Sequence, residues 1–287
     1  MLTGVLLVDK PKGMTSMEVV EGVKKRFGVK VGHAGTLDPI ATGLLLLLIG
    51  EATKFSQFFT GLDKTYITRV KLGEITQTYD AEGELVEKRQ VEVSCEDVER
   101  TLRKFRGRIV HTPPPFSAKR IKGKRAYQLA RRGLKVDIEP VEVEVYRAEL
   151  LHCHLPQVEL FFEVSSGTYI RSLVQELGLE LLCGAHVVEL RRLSVGPFRV
   201  DMAVSYEKLL SLQELEGILL PLGEALSFLP RVNLQEELSR RVKRGAFIRL
   251  KKPAEKTFVR LYEKDKFLGV GLIEGENLRP YRLMQGL

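Results

Sequence analysis

The apolar positions of this chain repeat with a period of two in some segments and near three and a half in others. Residues 4–9 (Gly-Val-Leu-Leu-Val-Asp) form a short apolar run closed by the turn Lys10-Pro11-Lys12-Gly13, which predicts a buried strand. Thr15 or Ser16 is placed to cap a helix running to about Phe27, with Val19, Val20 and Val23 on one face and Gly28 as its stop. Residues 44–49 are six consecutive aliphatic side chains bounded by glycines. That run is too short for an average helix and predicts a strand buried on both faces. A short helix is expected over 51–59, and residues 66–72 alternate apolar and polar like a half-buried strand. Further helices are predicted over 94–105 and 169–182, and strands over 141–151, 158–165 and 185–195. Beyond a boundary between Leu222 and Arg231, residues 247–250, 258–262 and 267–273 predict a small unit of short, turn-separated strands. There is no internal repeat or low-complexity tract.

Two stretches break this pattern. Residues 108–115 end in three prolines, which no helix or central strand accommodates, because proline lacks the N–H and clashes with the preceding turn. Residues 119–135 hold eight Lys or Arg and no acid, with Tyr127, Leu129 and Ala130 to anchor a short helix. Together they read as a basic excursion, about 108–140, suited to gripping a phosphate backbone. Charge adds to this picture. The net charge is +8; residues 231–287 hold 14 Lys or Arg against 7 Asp or Glu, and the other 230 residues hold 31 against 30. A basic C-terminal unit on a nearly neutral body points to a polyanionic partner.

The 287 residues suffice for one large domain and a small one. Cys95, Cys153 and Cys183 are odd in number and far apart, which predicts reduced thiols and argues against a disulfide framework or zinc ribbon. The N-terminal apolar run is short for a signal peptide and the longest aliphatic run is far short of a membrane span, so a cytoplasmic protein with no membrane partner is expected. His152-Cys153-His154 suggests a metal, but strand alternation turns Cys153 away from both histidines, so no metal site is expected. No Walker A, GxSxG or HExxH pattern occurs.

The candidate chemistry gathers in residues 32–43, Gly-His-Ala-Gly-Thr-Leu-Asp-Pro-Ile-Ala-Thr-Gly. Glycines allow close backbone approach, and Pro39 biases Asp38 away from helical angles. Asp38 is the single carboxylate between Val31 and Gly50. A surface Asx turn has the same composition, so the loop by itself leaves both readings open. Two further clusters bear on it. Ser165-Ser166-Gly167-Thr168-Tyr169-Ile170-Arg171 sits at a strand-to-helix junction, where free N–H groups favour ligands; an Arg there pairs with Asp38 and holds it ionised. Lys64-Thr65-Tyr66 begins the half-buried strand, and two tyrosines near one carboxylate supply a stacking surface and a phenol able to move protons.

Five ordered motifs, Val8 to Ser16, the 32–43 loop, Lys64-Thr65-Tyr66, Gly167 to Arg171 and Gly184-Ala185-His186 through Leu190-Arg191-Arg192-Leu193, together resemble TruB-type tRNA pseudouridine-55 synthases. The resemblance covers residue 4 to about 196, and the C-terminal unit looks more loosely like a PUA RNA-binding domain. It implies an α+β pseudouridine synthase fold with a mixed, mostly antiparallel central sheet over 1–225, and a small all-β PUA-like domain over 231–287. It implies cofactor-free isomerisation of uridine to pseudouridine in the TΨC stem-loop of tRNA, by a monomer with no obligatory protein partner. The family's nucleophile falls on Asp38, its active-site tyrosines on Tyr66 and Tyr169, and its Asp-pairing arginine on Arg171. Leu190 matches an apolar residue of the uracil pocket, and His33 is a candidate to contact or replace a flipped nucleotide. Lys10 and Pro11 are expected to shape the wall beside the loop, with Asp80 completing the substrate-binding set. Gln77, between Thr76 and Thr78, departs from the family pattern and puts one local hydrogen bond in question. Two rival readings are an RNA-folding protein with a vestigial site and a guide-RNA-directed relative.

Overall fold

In a computed structural model, residues 2–117, 119–121, 123–130, 132, 134 and 137–285 are described. The chain begins with β1 (Gly4–Lys10) and α1 (Ser16–Phe27). Thr15 caps that helix reciprocally: its hydroxyl accepts the Glu18 N–H while the Glu18 carboxylate accepts the Thr15 N–H, and Gly28 ends it at φ 66°. Next come β2 (Val31–Ala34), the Asp38 loop and β3 (Ala41–Ile49). A 3-10 segment (Gly50–Phe55) and α2 (Ser56–Thr60) stand where one short helix was expected, ahead of β4 (Lys64–Leu72). The hairpin of β5 (Glu74–Thr76) and β6 (Leu85–Lys88) precedes α3 (Cys95–Arg103) and β7 (Gly107–His111). Within the excursion lie β8 (Arg120–Ile121), β9 (Lys124–Arg125) and α4 (Ala126–Ala130). Lys122, Arg131 and Lys135 of its basic run lie outside the described residues. The core resumes with β10 (Val141–His154), β11 (Gln157–Val164), α5 (Ile170–Glu180) and β12 (Ala185–Val195), followed by β13 (Phe198–Arg199), β14 (Val204–Ser205), α6 (Tyr206–Ser211) and α7 (Leu222–Ala225).

One mixed sheet runs β14-β1-β3-β12-β4-β11-β10-β7, with β2 paired to β3 and β13 to β12. Its pairs are antiparallel apart from β1–β14 and β3–β12. β7 is the edge strand, so the prolines that follow it interrupt no ladder; its last residue, His111, pairs with Val141, where the chain re-enters the sheet.

β3 explains both the core and the site. Leu45, Leu47 and Ile49 enter one hydrophobic cluster with Val19, Val20 and Val23 of α1 and Leu173, Val174 and Leu177 of α5. Leu44, Leu46 and Leu48 enter a second cluster on the opposite face with Phe55, Phe58, Phe59 and Leu222. An aliphatic run without alternation is the signature of a strand covered twice. Along one edge of β3, residues Leu46–Ile49 pair with β2 and Ala41–Gly43 pair with β12. The two neighbours diverge there, and the Asp38 loop occupies the fork.

Beyond the boundary, β15 (Arg231–Asn233), α8 (Glu236–Lys243), β16 (Ile248–Glu263) and β17 (Lys266–Leu283) form a three-stranded sheet with its own cluster of Leu234, Val242, Val259, Leu261 and Leu268. The expected separate strands over 247–250 and 258–262 are one long β16. Register shifts around Ala254 absorb the Lys251-Lys252-Pro253 stretch that reads in sequence as a break. This unit also covers the second cluster: Val270 is part of it, and Phe258 and Tyr281 stand over Phe58 at ring distances of 5.1 and 6.1 Å.

The expectation of three reduced thiols is corrected. Cys95, the first residue of α3, is bonded to Cys153 on β10, with Cα atoms 6.0 Å apart, a separation a disulfide spans. The helix and strand meet through the shared core, so sequence spacing gives no sign of the pair. Cys183 is free and buried. Among the described residues no helix is long and apolar enough to cross a membrane, and no cluster of three or more metal-ligating side chains occurs.

Candidate active site

The Asp38 loop is fastened from three sides. Ser16, at the start of α1, accepts the Leu37 N–H at 2.8 Å and donates to the Leu37 carbonyl at 3.1 Å. Gly13 N–H donates to the Pro39 carbonyl at 2.8 Å, so the turn after β1 clamps the proline. Arg192 of β12 supplies the third anchor: its guanidinium donates to the carbonyls of Leu44 (2.7 Å), Gly35 (3.0 Å) and Thr36 (3.4 Å). It lies wholly inside the fork between β2 and β12, where the Leu44 carbonyl has lost its strand partner. A buried backbone acceptor left unpaired is costly, and Arg192 fills that need.

Against this loop stands Arg171, in the first turn of α5. Its Nε lies 2.9 Å from Oδ2 of Asp38 and its Nη1 lies 3.3 Å from Oδ2 of Asp80. Nη1 also donates to the Thr78 carbonyl and Nη2 to the Phe116 carbonyl. The guanidinium is thus spent on two carboxylates and two carbonyls. Its own side chain is 4% exposed while that of Asp38 is 34% exposed, so the carboxylate is the part that faces a ligand. Asp80 is held in turn by Thr78 Oγ1, which donates to its carboxylate, and by the Glu82 N–H at 3.1 Å. Thr76 Oγ1 donates to the Asp80 carbonyl, and Gln77 faces solvent between the two threonines.

A cleft of about 230 Å³ opens over Asp38, walled by Tyr66 of β4, Tyr169 at the N-cap of α5 and Leu190 of β12. Lys64 and Arg192 close its far side. Burial pushes the Tyr169 phenol above its ordinary pKa, so it stays protonated at neutral pH. Lys64 is brought down to about 8, by burial first and the Arg192 charge second, while its Nζ donates to the carbonyls of Thr60 and Leu62.

Asp38, Tyr66, Tyr169, Arg171 and Leu190 therefore converge on one cleft, and other residues singled out in the sequence stand behind it. Lys10 is fully buried, donating to the carbonyls of Pro11 and Met14, with a pKa lowered to about 8 by burial against the opposing pull of Asp38. His33 lies on β2, half-buried and opposite Leu47, outside the cleft wall. Arg192 escaped the sequence reading as a site residue. Its signal was its place two residues after Leu190 in a strand, which puts both on one face.

Residues 22–170 match the TruB family pseudouridylate synthase (N terminal domain), residues 171–227 the tRNA pseudouridylate synthase B C-terminal domain, and residues 230–284 the family described as Pseudouridine synthase II TruB, C-terminal. A protein of Aquifex aeolicus (strain VF5) named tRNA pseudouridine synthase B is 47% identical over 286 residues, covering 99% of this chain and 100% of that one. One of the same name from Haemophilus influenzae (strain PittEE) is 42% identical over 290 residues, covering 98% and 95%. Among solved structures, a chain of a Cbf5-Nop10-Gar1 complex superposes with TM-score 0.75 at 26% identity, covering 98% of this chain and 84% of that one. Fold and site together define a pseudouridine synthase, an isomerase. Within that class, this chain belongs to the TruB family of pseudouridylate synthases.

Proposed function

We propose that this enzyme converts uridine to pseudouridine at position 55, in the TΨC loop of tRNA, with Asp38 as nucleophile and the target base turned out of its stack. The observation that carries this reading is the half-open Asp38 carboxylate, ion-paired to a buried Arg171 inside a cleft walled by two tyrosines and a leucine. The names of the relatives from Aquifex and Haemophilus support tRNA as the substrate.

A carboxylate is both a nucleophile and a leaving group, so it can attack at ribose C1′ or at the base and later depart. The N-glycosidic bond breaks, the uracil turns, and a carbon–carbon bond to C1′ forms. C5 gives up its proton and the freed ring nitrogen gains one. Every atom of the product is in the substrate, so the balance requires no cofactor and consumes no water. Tyr66 stacks on the base and takes part in proton transfer, Tyr169 forms the facing wall, and Leu190 lines the uracil. Arg171 pairs with Asp38 and orients it, with Asp80 holding Arg171. His33 contacts or replaces the flipped nucleotide; Lys10 and Pro11 shape the wall under the loop. Extruding the base costs a few kcal/mol, which contacts elsewhere on the RNA offset.

In this reading residues 1–225 are the catalytic domain, the 108–140 excursion grips the phosphate backbone, and 231–287 is a PUA-like RNA-binding unit. The enzyme works as a monomer without a protein partner. Its place in the cytoplasm rests on its RNA substrate, because the Cys95–Cys153 bond removes the argument from reduced thiols. The test is tritium release from tRNA labelled at C5 of uridine, with mass mapping of the product. Purified protein alone is expected to release tritium and modify position 55, and Asp38→Asn to fall to the uncatalysed background. Turnover by Asp38→Asn at the native rate refutes the mechanism; a requirement for guide RNA refutes the stand-alone reading.

A further inference from the structure

We propose that His111 is a positioning residue of this active site: through one ring nitrogen it anchors the turn from which Tyr169 and Arg171 reach Asp38. His111 ends β7 and is entirely buried. Its Nε2 accepts the Tyr169 backbone N–H at 3.2 Å. A ring nitrogen accepts only when it carries no proton, so the imidazole proton is on Nδ1. Nδ1 faces the carboxylate of Glu176, with Oε1 3.4 Å away. Glu176 lies on α5, the helix whose N-cap is Tyr169. That approach forms no hydrogen bond, so the contact that ties His111 to α5 is the one at Nε2.

The anchor is needed because of how α5 begins. No side chain caps this helix, and an N–H at a helix start has no partner within the helix. His111 supplies an acceptor there, and its ring lies nearly parallel to that of Tyr169, with 6.3 Å between centroids. Five residues after His111, the Phe116 carbonyl accepts from Nη2 of Arg171. One stretch of chain thus holds the backbone of one active-site residue and the guanidinium of the other.

This inference rests on the reading of Tyr169 and Arg171 as parts of the uridine site. Its test is kcat and KM of tritium release for two variants of His111, one that keeps the acceptor and one that removes it. His111→Gln keeps an acceptor for the Tyr169 N–H. It is expected to hold kcat within about twofold of the native enzyme, a rescue that a merely space-filling role would not give. His111→Phe keeps a ring without an acceptor, and is expected to lower kcat about ten- to hundredfold with KM little changed, the size of effect of a small misplacement. Native kcat in His111→Phe, or a loss in His111→Gln as large as that in His111→Phe, overturns the proposal. Should His111→Phe fail to fold, His111→Gln decides alone, a loss of kcat beyond about tenfold in the folded variant overturning the proposal. Asp38→Asn, assayed alongside, separates failure of the uridine reading from failure of this one.

Discussion

Two buried amines flank the Asp38 cleft, and their protons tie stability to pH. Lys10 and Lys64 both have pKa values lowered from 10.5 to about 8, chiefly by burial. Between those values the unfolded chain binds protons that the folded chain does not, so stability rises as pH increases from about 8 towards 10.5. Below pH 8 both states are protonated and the burial cost, on the order of 3 kcal/mol for each lysine, is fully present. Urea unfolding at stepped pH is expected to show this rise, and Lys64→Met to show a shallower one. An equal slope in the two proteins would remove Lys64 as its source. Much of the residue-scale picture was readable in advance, because the 32–43 loop, Lys64-Thr65-Tyr66 and Gly167–Arg171 each carry a carboxylate, phenol or guanidinium in a short constrained stretch. What stayed hidden depends on chain segments meeting. Asp80 shares a guanidinium with Asp38 from 42 positions away in sequence, and His111 meets Tyr169 across 58.

At the scale of elements, the fork along β3 is the decisive feature. Gly43 sits where β3 pairs with β12, at φ 102°, an angle L side chains rarely adopt. A Cβ there would stand 2.2 Å from the Arg192 carbonyl oxygen, so the strands would have to part. Gly43→Ala is expected to cost more than about 2 kcal/mol of stability, read by urea unfolding, and to lower turnover by shifting the loop that Arg192 holds. Retention of native stability would show that the pairing tolerates a side chain. Period and capping signals gave α1, β1 and β12 nearly to the residue, because local chemistry decides them, a reciprocal cap at Thr15 and glycine at position 28 among its signs; β3 was given as 44–49 and begins three residues earlier, at Ala41, running through Gly43. The 51–59 helix divided into a 3-10 segment and α2, and the two short strands of the C-terminal unit fused into β16. In both places packing and register overrode what the local pattern implied.

The whole molecule is more closely joined than its charge asymmetry suggests. Phe258, Phe267, Val270 and Tyr281 of the C-terminal unit pack on Phe55 and Phe58, Tyr281 donates to the Gln57 side chain at 3.2 Å, and the Gln285 N–H donates to Glu51. One unit therefore supplies part of the other's apolar cover. Calorimetry is expected to give a single unfolding transition, and removal of residues 230–287 to leave an aggregation-prone remainder detectable by light scattering. Two well-separated transitions would show that the units fold independently. A composition shift near 231 reports charge and not contact, which is why the sequence suggested an appendage where the structure has a shared core. The two ends of the excursion after β7 are neighbours in one ladder, His111 opposite Val141. Closing a longer loop between fixed ends costs only about 0.6 kcal/mol for each doubling of its length. Beyond Phe116, whose carbonyl holds Arg171, this edge of the sheet can therefore gain, lose or exchange sequence with little cost to the strands at Asp38.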